Sequence, residues 1–364
     1  MKIGILTIPF NNNYGGYLQS FALMTVIKEL GHDVVLINRR PECDTSFFKY
    51  VKGFIKYNII GNKSRVYNRK TQEIYYRQKG AKMIPFVDKY ITPKTQKIYK
   101  IKDYSDLWKY KFDVVIVGSD QVWRPKYVPT INEYFLEYIP YGVKKIAYAA
   151  SFGTEKLEYN VEDLNHCKDL IRSFAAVSVR EKSGKDLLEK YFDYENVDVV
   201  LDPTMLLSKD YYLRVVCNES VSVPTGIFAY ILDRNEDKER IVVHLSELYD
   251  KPIYDVMHIS KYAPYSSIEE WLNGIDKAEL VVTDSFHGAV FSILFNKQFY
   301  VINNFKRGNS RITDLLSMFN LNNRLISDIN DIRHIDEPIN WDFVNTKLLQ
   351  QRNKSLNFLK EALS

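Results

Sequence analysis

Short apolar runs alternate with segments of helical periodicity over most of the chain, and each run has the composition of a buried parallel strand. The predicted strands span residues 2–8, 34–38, 114–117, 146–150, 176–179, 197–201, 226–232, 253–257, 280–283 and 299–303. The predicted helices span about residues 16–30, 182–192, 236–248, 268–277, 311–319 and 343–363. Strands that alternate with helices predict parallel sheets that are covered on both faces.

These elements fall into two blocks joined near residues 165–176, so the sequence predicts an α/β protein of two Rossmann-like domains facing across a cleft. The first domain is predicted at 1–170, with a basic insertion at about 41–105. The second is predicted at 171–340, followed by a C-terminal helix at 341–364. Because ligands of such sheets bind beyond the carboxyl ends of the strands, polar residues at those ends are the candidate site residues.

The segment 280–294 gives the strongest indication of a site, because its strand ends in a polar turn that opens a helix. The unpaired amides and the helix dipole at such a turn attract anions. The turn contains Ser285 and His287, and histidine gives or takes a proton near neutral pH. A lone histidine at a helix start is often structural, but the adjoining Asp284 and Ser285 favour a functional His287. No second histidine or cysteine lies at ligand spacing, so we predict no metal site.

Two further strand ends carry glycines or polar side chains. Gly15 and Gly16 permit a close approach of the backbone to a ligand, although by themselves they are better explained by an ordinary glycine turn. Their spacing is not that of a dinucleotide-binding motif, so no such cofactor is predicted. Asp120 and Gln121 beside Trp123 indicate recognition of sugar hydroxyls. The alternative is that Asp120 caps a turn and Trp123 belongs to the core.

Arginines occupy two more candidate positions. Arg180 follows the strand 176–179 and can grip a carboxylate or phosphate with two parallel hydrogen bonds; the alternative is that Arg180 and Glu181 only add surface charge. Arg311 lies at a helix start, where its charge opposes the dipole, so we expect a bound anion to offset it. Asp202 precedes a proline and is better explained as part of a structural turn.

Composition and charge describe the setting. Hydrophobic residues make up 46% of the chain, and three widely spaced cysteines match no disulfide or metal pattern, so we predict a soluble, cytoplasmic protein. No apolar run is long enough to cross a bilayer. The segment 49–102 holds 15 lysines and arginines against Glu73 and Asp88, within a net charge of +5. It is either a solvated insertion or a surface for phosphates or an anionic membrane, and no nucleic-acid module is recognisable.

Seven segments in order along the chain together resemble the polysaccharide pyruvyl transferase family. They span residues 13–19, 117–123, 147–153, 178–181, 202–204, 283–288 and 309–311. Members are similar to glycosyltransferase-B-type proteins and transfer pyruvate, as a ketal, from phosphoenolpyruvate to a sugar of bacterial surface polysaccharide or its lipid-linked precursor. The resemblance implies an acceptor side in the first domain, a donor side in the second, and no cofactor besides the donor substrate.

Within that resemblance, we expect His287 to protonate the methylene carbon of phosphoenolpyruvate as general acid. Asp120 would orient or deprotonate the acceptor hydroxyl. The remaining predicted substrate-binding residues are Arg180 and Arg311 for the anionic groups, Ser285 and the Gly288 amide for the phosphate, and Gly15, Gly16, Gln121 and Trp123. Several members carry an arginine where this chain has Ser285. Either that guanidinium comes from Arg311 or Arg307, or the donor differs.

Two other functions stay open at this point. One is a glycosyltransferase that uses a nucleotide sugar, which the same two-domain cleft would serve. The other is a non-catalytic protein of polysaccharide assembly. In each case the basic segment 49–102 would be the candidate for docking a lipid-linked pyrophosphate at the inner face of the membrane.

Overall fold

A computed structural model describes residues 1–40, 74, 77–216, 223–257, 263–304, 308–334 and 338–364. Half of the basic segment, residues 49–73, 75 and 76, lies outside these ranges, as does Arg307. The docking role expected for that segment stays a prediction. Within the described ranges, no helix combines the length and the apolar character needed to cross a membrane.

The first domain is a parallel sheet of six strands in the order β2-β1-β3-β4-β5-β6. Its strands and helices are β1 (Lys2–Leu6), α1 (Tyr14–Glu29), β2 (Asp33–Leu36), α2 (Ile84–Tyr90), β3 (Val114–Val117), β4 (Lys144–Ala150), α3 (Val161–Ile171), β5 (Ala176–Val179), α4 (Lys182–Phe192) and β6 (Val197–Val199). The central strand β3 is apolar and buried at every position, as expected where helices cover both faces of a parallel sheet.

The second domain is a smaller parallel sheet of five strands in the order β11-β10-β9-β7-β8, reached through helix α5 (Lys209–Val216). Its elements are β7 (Gly226–Tyr230), α6 (Glu236–Tyr249), β8 (Ile253–Asp255), α7 (Ile268–Lys277), β9 (Ala278–Thr283), α8 (Phe286–Leu294), β10 (Phe299–Ile302), α9 (Ser310–Met318) and β11 (Leu325–Ile326). A last helix, α10 (Trp341–Leu363), ends the chain. The prediction of two parallel-sheet α/β domains is therefore confirmed.

The predicted domain boundary at residue 170 is wrong. Strands β5 and β6 pair with β4 and extend the first sheet to Val199, and the second sheet begins only at Gly226. The segment predicted to join the blocks, 165–176, instead comprises the second half of helix α3 and the loop that leads into β5. The alternation of strands and helices continues through this region without a break, so the pattern alone does not tell to which sheet a strand belongs.

Helix α10 returns to the first domain and packs on it. The Ser355 hydroxyl accepts a hydrogen bond from the Leu201 amide (2.9 Å), and the Phe358 ring lies 6.1 Å from that of Tyr148 on β4. The helix therefore belongs to the core that it closes, although it follows the second domain in sequence.

Leu359→Ala in α10 should lower the free energy of unfolding by about 2–5 kcal/mol, because it leaves a cavity at a fully buried position. Leu349→Ala on the same helix is the control, since Leu349 is 55% exposed and should cost less than about 0.5 kcal/mol. Urea unfolding of the two variants measures the difference. Equal effects would show that the helix does not pack as described.

Candidate active site

A buried guanidinium, that of Arg180, organises the carboxyl edge of the first sheet. Arg180 follows β5, and its Nη1 donates to Oδ2 of Asp202 (2.7 Å) while its Nη2 donates to Oδ1 of Asp120 (2.9 Å). Its Nε lies 3.6 Å from Oε2 of Glu181. All four side chains are almost completely shielded from solvent. They form what we call the charge cluster, which joins the loops that follow β3, β5 and β6.

Asp202 belongs to this site, although the sequence predicted only a structural turn for it. Its Oδ1 accepts from the amide and the hydroxyl of Thr204 (3.1 and 2.7 Å), so it does cap the turn that was predicted. Its Oδ2, however, accepts from Arg180 and from the Ser119 hydroxyl (3.2 Å) and lies 3.7 Å from Nε2 of His287. Burial alone would raise the pKa of Asp202, but protonated His287 and Arg180 hold it well below its ordinary value. Asp202 is thus an ionised carboxylate that faces the histidine.

His287 comes from the second domain and completes the site. It lies in the first turn of α8 and is 5% exposed. The 3.7 Å to Asp202 is too long for a hydrogen bond, and Nε2 has no hydrogen-bond partner among the described residues. The ring packs on the start of α1 so closely that a Cβ atom built on Gly15 would lie 2.0 Å from Nδ1. The sequence predicted His287 and Gly15 as candidates at two different strand ends, and the fold brings them into contact.

Asp284, whose proximity in sequence favoured a functional His287, does not bind the histidine. Its carboxylate accepts from Nζ of Lys238 (2.6 Å), from the amides of Leu232 and Asp233 (2.6 and 3.0 Å) and from the Asn304 side chain (3.0 Å). These contacts tie the ends of β7, β9 and β10 together. Asp284 therefore holds the turn in shape, and Asp202 is the carboxylate that faces His287.

A second buried arginine lies close to the first. The Cζ atoms of Arg180 and Arg311 are 4.4 and 5.7 Å from the centroid of the Phe286 ring. Burial, together with the like charge of Arg180, lowers the pKa of Arg311 to about 10, against the opposing attraction of Asp120 and Glu181. The positive charge of Arg311 is unfavourable at this helix start, and the nearby carboxylates offset part of that cost. From the sequence we expected a bound anion to provide this offset. The bound anion stays a prediction.

Glu181 is buried in the site and is not the surface charge considered as an alternative. Its Oε1 accepts from the amide of Phe152 (3.1 Å), whereas Oε2 has no hydrogen-bond partner within the described residues. Burial raises the pKa of Glu181 although Arg180 opposes the effect. The position directly after a strand was the signal that could have identified both Glu181 and Asp202.

Asp120 and Gln121 line a cavity of about 100 Å³ at the start of α1, which we call the N-terminal cavity. Gly16, Asn11 and Asn13 line it too. Burial alone would raise the pKa of Asp120, but Arg180 and the other nearby cations hold it below its usual value. The backbone φ of +71° at Asp120 is uncommon outside glycine and is typical of functional sites. Amides and an ionised carboxylate around a small cavity suit hydroxyl groups.

Trp123 is a correction to the predicted set. It is fully buried, its Nε1 donates to the carbonyl of Tyr134 (3.0 Å), and its ring stacks on Phe135 at 5.0 Å. Its faces are covered by the core of the first domain, so it has none to offer a sugar. The alternative weighed for it, a core residue, is the one that the structure supports.

Ser285 and Gly288 lie at the start of α8, as predicted. Ser285 is 4% exposed, and its amide donates to the Thr283 hydroxyl (3.0 Å). A Cβ atom on Gly288 would lie 2.2 Å from the same hydroxyl oxygen, so close packing of helix on strand accounts for this glycine. Their contact with a phosphate stays a prediction.

Comparison with known proteins identifies a matching family and similar folds. A model of the family described as polysaccharide pyruvyl transferase matches residues 13–306. A comparison with curated proteins found no match.

Solved structures of two UDP-GlcNAc 2-epimerases are similar over the whole chain. The one from Methanocaldococcus jannaschii, in complex with UDP-GlcNAc and UDP, has 15% identity and a TM-score of 0.53, covering 100% of this chain and 99% of that one. The one from Neisseria meningitidis, bound to UDP-GlcNAc, has 11% identity and a TM-score of 0.54, covering 100% of both chains. The glycotransferase of kitacinnamycin has 10% identity and a TM-score of 0.52, covering 99% and 97%. At such identities these likenesses show the fold alone, and the predicted glycosyltransferase-B-like class is confirmed.

Gly15→Ala should lower the melting temperature and displace the His287 ring, because the added methyl group would overlap Nδ1. Overpacking of this kind typically costs about 1–3 kcal/mol. The neighbouring Gly16→Ala is the matched control, since its methyl group would meet only Cβ of Asn13 at 3.8 Å. Thermal unfolding and the imidazole NMR signals of both variants provide the readout. An unperturbed Gly15→Ala protein would contradict the contact between the domains.

Proposed function

The chain belongs to the polysaccharide pyruvyl transferase family, and on that premise we propose that it transfers pyruvate from phosphoenolpyruvate to two hydroxyls of one sugar, forming a cyclic ketal. The observation that carries the proposal is His287, a buried histidine whose Nε2 lies 3.7 Å from an ionised carboxylate and has no hydrogen-bond partner in the described part of the chain. Two buried arginines lie against the ring of the preceding residue, Phe286. Phosphoenolpyruvate combines two anionic groups with a methylene carbon that must receive a proton. A proton donor beside guanidinium groups suits that combination.

Arg180 and Arg311 hold the donor in this proposal. Both guanidinium groups lie near the Phe286 ring, and Arg180 and Nε2 of His287 lie 2.7 and 3.7 Å from the same oxygen, Oδ2 of Asp202, so a donor bound to Arg180 is close to the imidazole. Arg311 takes over the role of the arginine that several family members carry at the position of Ser285. Its lowered pKa supports this, because a charge that is disfavoured in the empty site gains most from a bound anion.

The reaction proceeds in two additions. His287 gives its Nε2 proton to the methylene carbon, and the first sugar hydroxyl adds to the neighbouring carbon, losing its own proton. The second hydroxyl then attacks the same carbon, and the bond from that carbon to the phosphate oxygen breaks. One hydroxyl proton restores His287 and the other leaves with the phosphate, so the product is a ketal with a methyl group, plus inorganic phosphate.

Asp202 and Asp120 have different roles in these steps. Asp202 faces Nε2 of His287 at 3.7 Å and orients the imidazole for the first step. Asp120 lines the N-terminal cavity, where the acceptor sugar binds with Gln121 and the glycine turn beside it. Because its pKa is held low, Asp120 orients the acceptor hydroxyl rather than acting as a strong base.

The main rival is transfer from a nucleotide sugar, since UDP-GlcNAc is bound by two of the structurally similar proteins. A thermal-shift titration separates the functions, because a ligand that binds only the folded protein raises its melting temperature. Stabilisation by phosphoenolpyruvate but not by UDP-GlcNAc or other nucleotide sugars supports the proposal. The reverse result supports the glycosyltransferase, and no shift with either indicates a non-catalytic protein.

His287→Ala should lower pyruvyl transfer by about 10²–10⁴-fold, the usual effect of general acid catalysis. The melting temperature should change little, and phosphoenolpyruvate should still stabilise the protein. His166→Ala is the control, because His166 lies at the surface beside Glu137. Phosphate release in the presence of an acceptor measures the rate. Near-normal turnover of His287→Ala would refute the assignment.

Arg311→Met should raise the KM for phosphoenolpyruvate by about 10- to 100-fold, corresponding to one lost charged hydrogen bond. The ligand-free protein should keep its melting temperature, because burial and Arg180 already disfavour the charge of Arg311. Arg240→Met, at an exposed position, is the control. A large loss of stability with an unchanged KM would make Arg311 a structural residue only.

A further inference from the structure

A second and larger cavity, of about 590 Å³, lies between the two domains, and we call it the interdomain cavity. Its walls are the loop 154–156, the start of α4 and the segment 308–314 at the start of α9. The loop 154–156 follows Gly153, which packs against Gln121 of the N-terminal cavity, the start of α4 follows Glu181, and the third wall contains Arg311. The interdomain cavity therefore shares the end of β5 with the charge cluster, and no step proposed above uses it.

Two serines in its walls have unused hydrogen-bonding capacity. The hydroxyl oxygens of Ser183 and Ser310 are buried and have no hydrogen-bond partner among the described residues. Buried hydroxyls are normally paired, so each such group calls for an explanation. Both residues line the cavity, and a change of serine rotamer costs little, so a ligand in the cavity could pair with them.

The charges of the walls argue against an anion. Two lysines, Lys156 and Lys182, face three carboxylates, which belong to Glu155, Asp186 and Asp314. The helix start that would otherwise attract a phosphate is already occupied, because Oδ2 of Asp314 accepts from the Ser183 amide at 3.2 Å. A second anion at this point would be repelled.

The chemistry of the walls also argues against a lipid tail or a nucleobase. The lining consists of hydroxyl, amide, carboxylate and ammonium side chains and one glycine, with no aromatic or large aliphatic side chain. Carboxylates and amides on hydroxyl-bearing walls pair well with a neutral, hydroxyl-rich ligand. The volume falls within the about 300–1,000 Å³ of ordinary ligand pockets.

We propose that the interdomain cavity binds neutral sugar units of the acceptor chain that neighbour the unit receiving pyruvate. This inference rests on the proposed function for the identity of the acceptor. It makes the enzyme selective for an oligosaccharide or polysaccharide over a free monosaccharide. The N-terminal cavity binds the reacting sugar, and the interdomain cavity binds the continuing chain.

Thr313→Trp tests the proposal, because Thr313 is an exposed residue of α9 that lines the cavity. A tryptophan there should fill the cavity. Ser317→Trp is the matched control, since Ser317 is exposed one turn further along the same helix and lies outside the cavity lining. The probe is an array of neutral oligosaccharides released from bacterial surface polysaccharides. Binding is then measured by calorimetry for the strongest one and for its monosaccharides.

We expect at least one oligosaccharide to bind the wild type and Ser317→Trp, and to bind Thr313→Trp at least tenfold more weakly. Failure of every oligosaccharide to bind, or equal binding by the two variants, would overturn the proposal. Inorganic phosphate that competes with the sugar in the wild type would overturn it too, since it would indicate an anion site.

Titration of both variants with phosphoenolpyruvate distinguishes this result from the proposed function. Stabilisation of Thr313→Trp by phosphoenolpyruvate shows that its donor site is intact, so that weaker sugar binding is due to the cavity. If phosphoenolpyruvate stabilises neither the wild type nor the variants, the proposed function fails, while sugar binding still decides whether the cavity is a carbohydrate site.

Discussion

One buried guanidinium, that of Arg180, is shared by the carboxylates of Asp120 and Asp202, and the rest of the site depends on this contact. Moving such charges out of water costs several kcal/mol for each ion, and only close pairing with further hydrogen bonds offsets that cost. Ser119 and Thr204 supply those bonds to Asp202. The charge cluster thus fixes the loops after three strands of the first sheet, and it sets the carboxylate that His287 faces.

The second domain contributes His287, so the site forms only where the two domains meet. The contact of His287 with Gly15 and the stacking of Tyr14 on Trp271 at 5.4 Å hold α1 against the second domain. Both Nη groups of Arg180 already donate to carboxylates, so an anion that bound this guanidinium would compete with Asp120 and Asp202 for it.

The sequence predicted local structure better than it predicted contacts. Strand 176–179 and the helices 182–192 and 268–277 have the predicted bounds, because their apolar spacing is regular. Helix α3 was missed since its buried side chains are few, and no local pattern assigns β5 and β6 to one sheet or the other. Likewise, the positions of the strand ends identified His287, Arg180 and Asp120 as candidates. The carboxylate that faces the histidine is that of Asp202, 85 residues away along the chain, because Lys238 binds the neighbouring Asp284 instead.

In the proposed reaction, His287 delivers a solvent-exchangeable proton to the methylene carbon of phosphoenolpyruvate. The most direct measurement is the mass of the product formed in D₂O from phosphoenolpyruvate and an acceptor oligosaccharide. Proton delivery from an exchangeable group predicts a pyruvate ketal whose methyl group carries one deuterium, formed together with one equivalent of inorganic phosphate. A ketal with an undeuterated methyl group, or no consumption of phosphoenolpyruvate in the presence of the acceptor, would contradict this reaction.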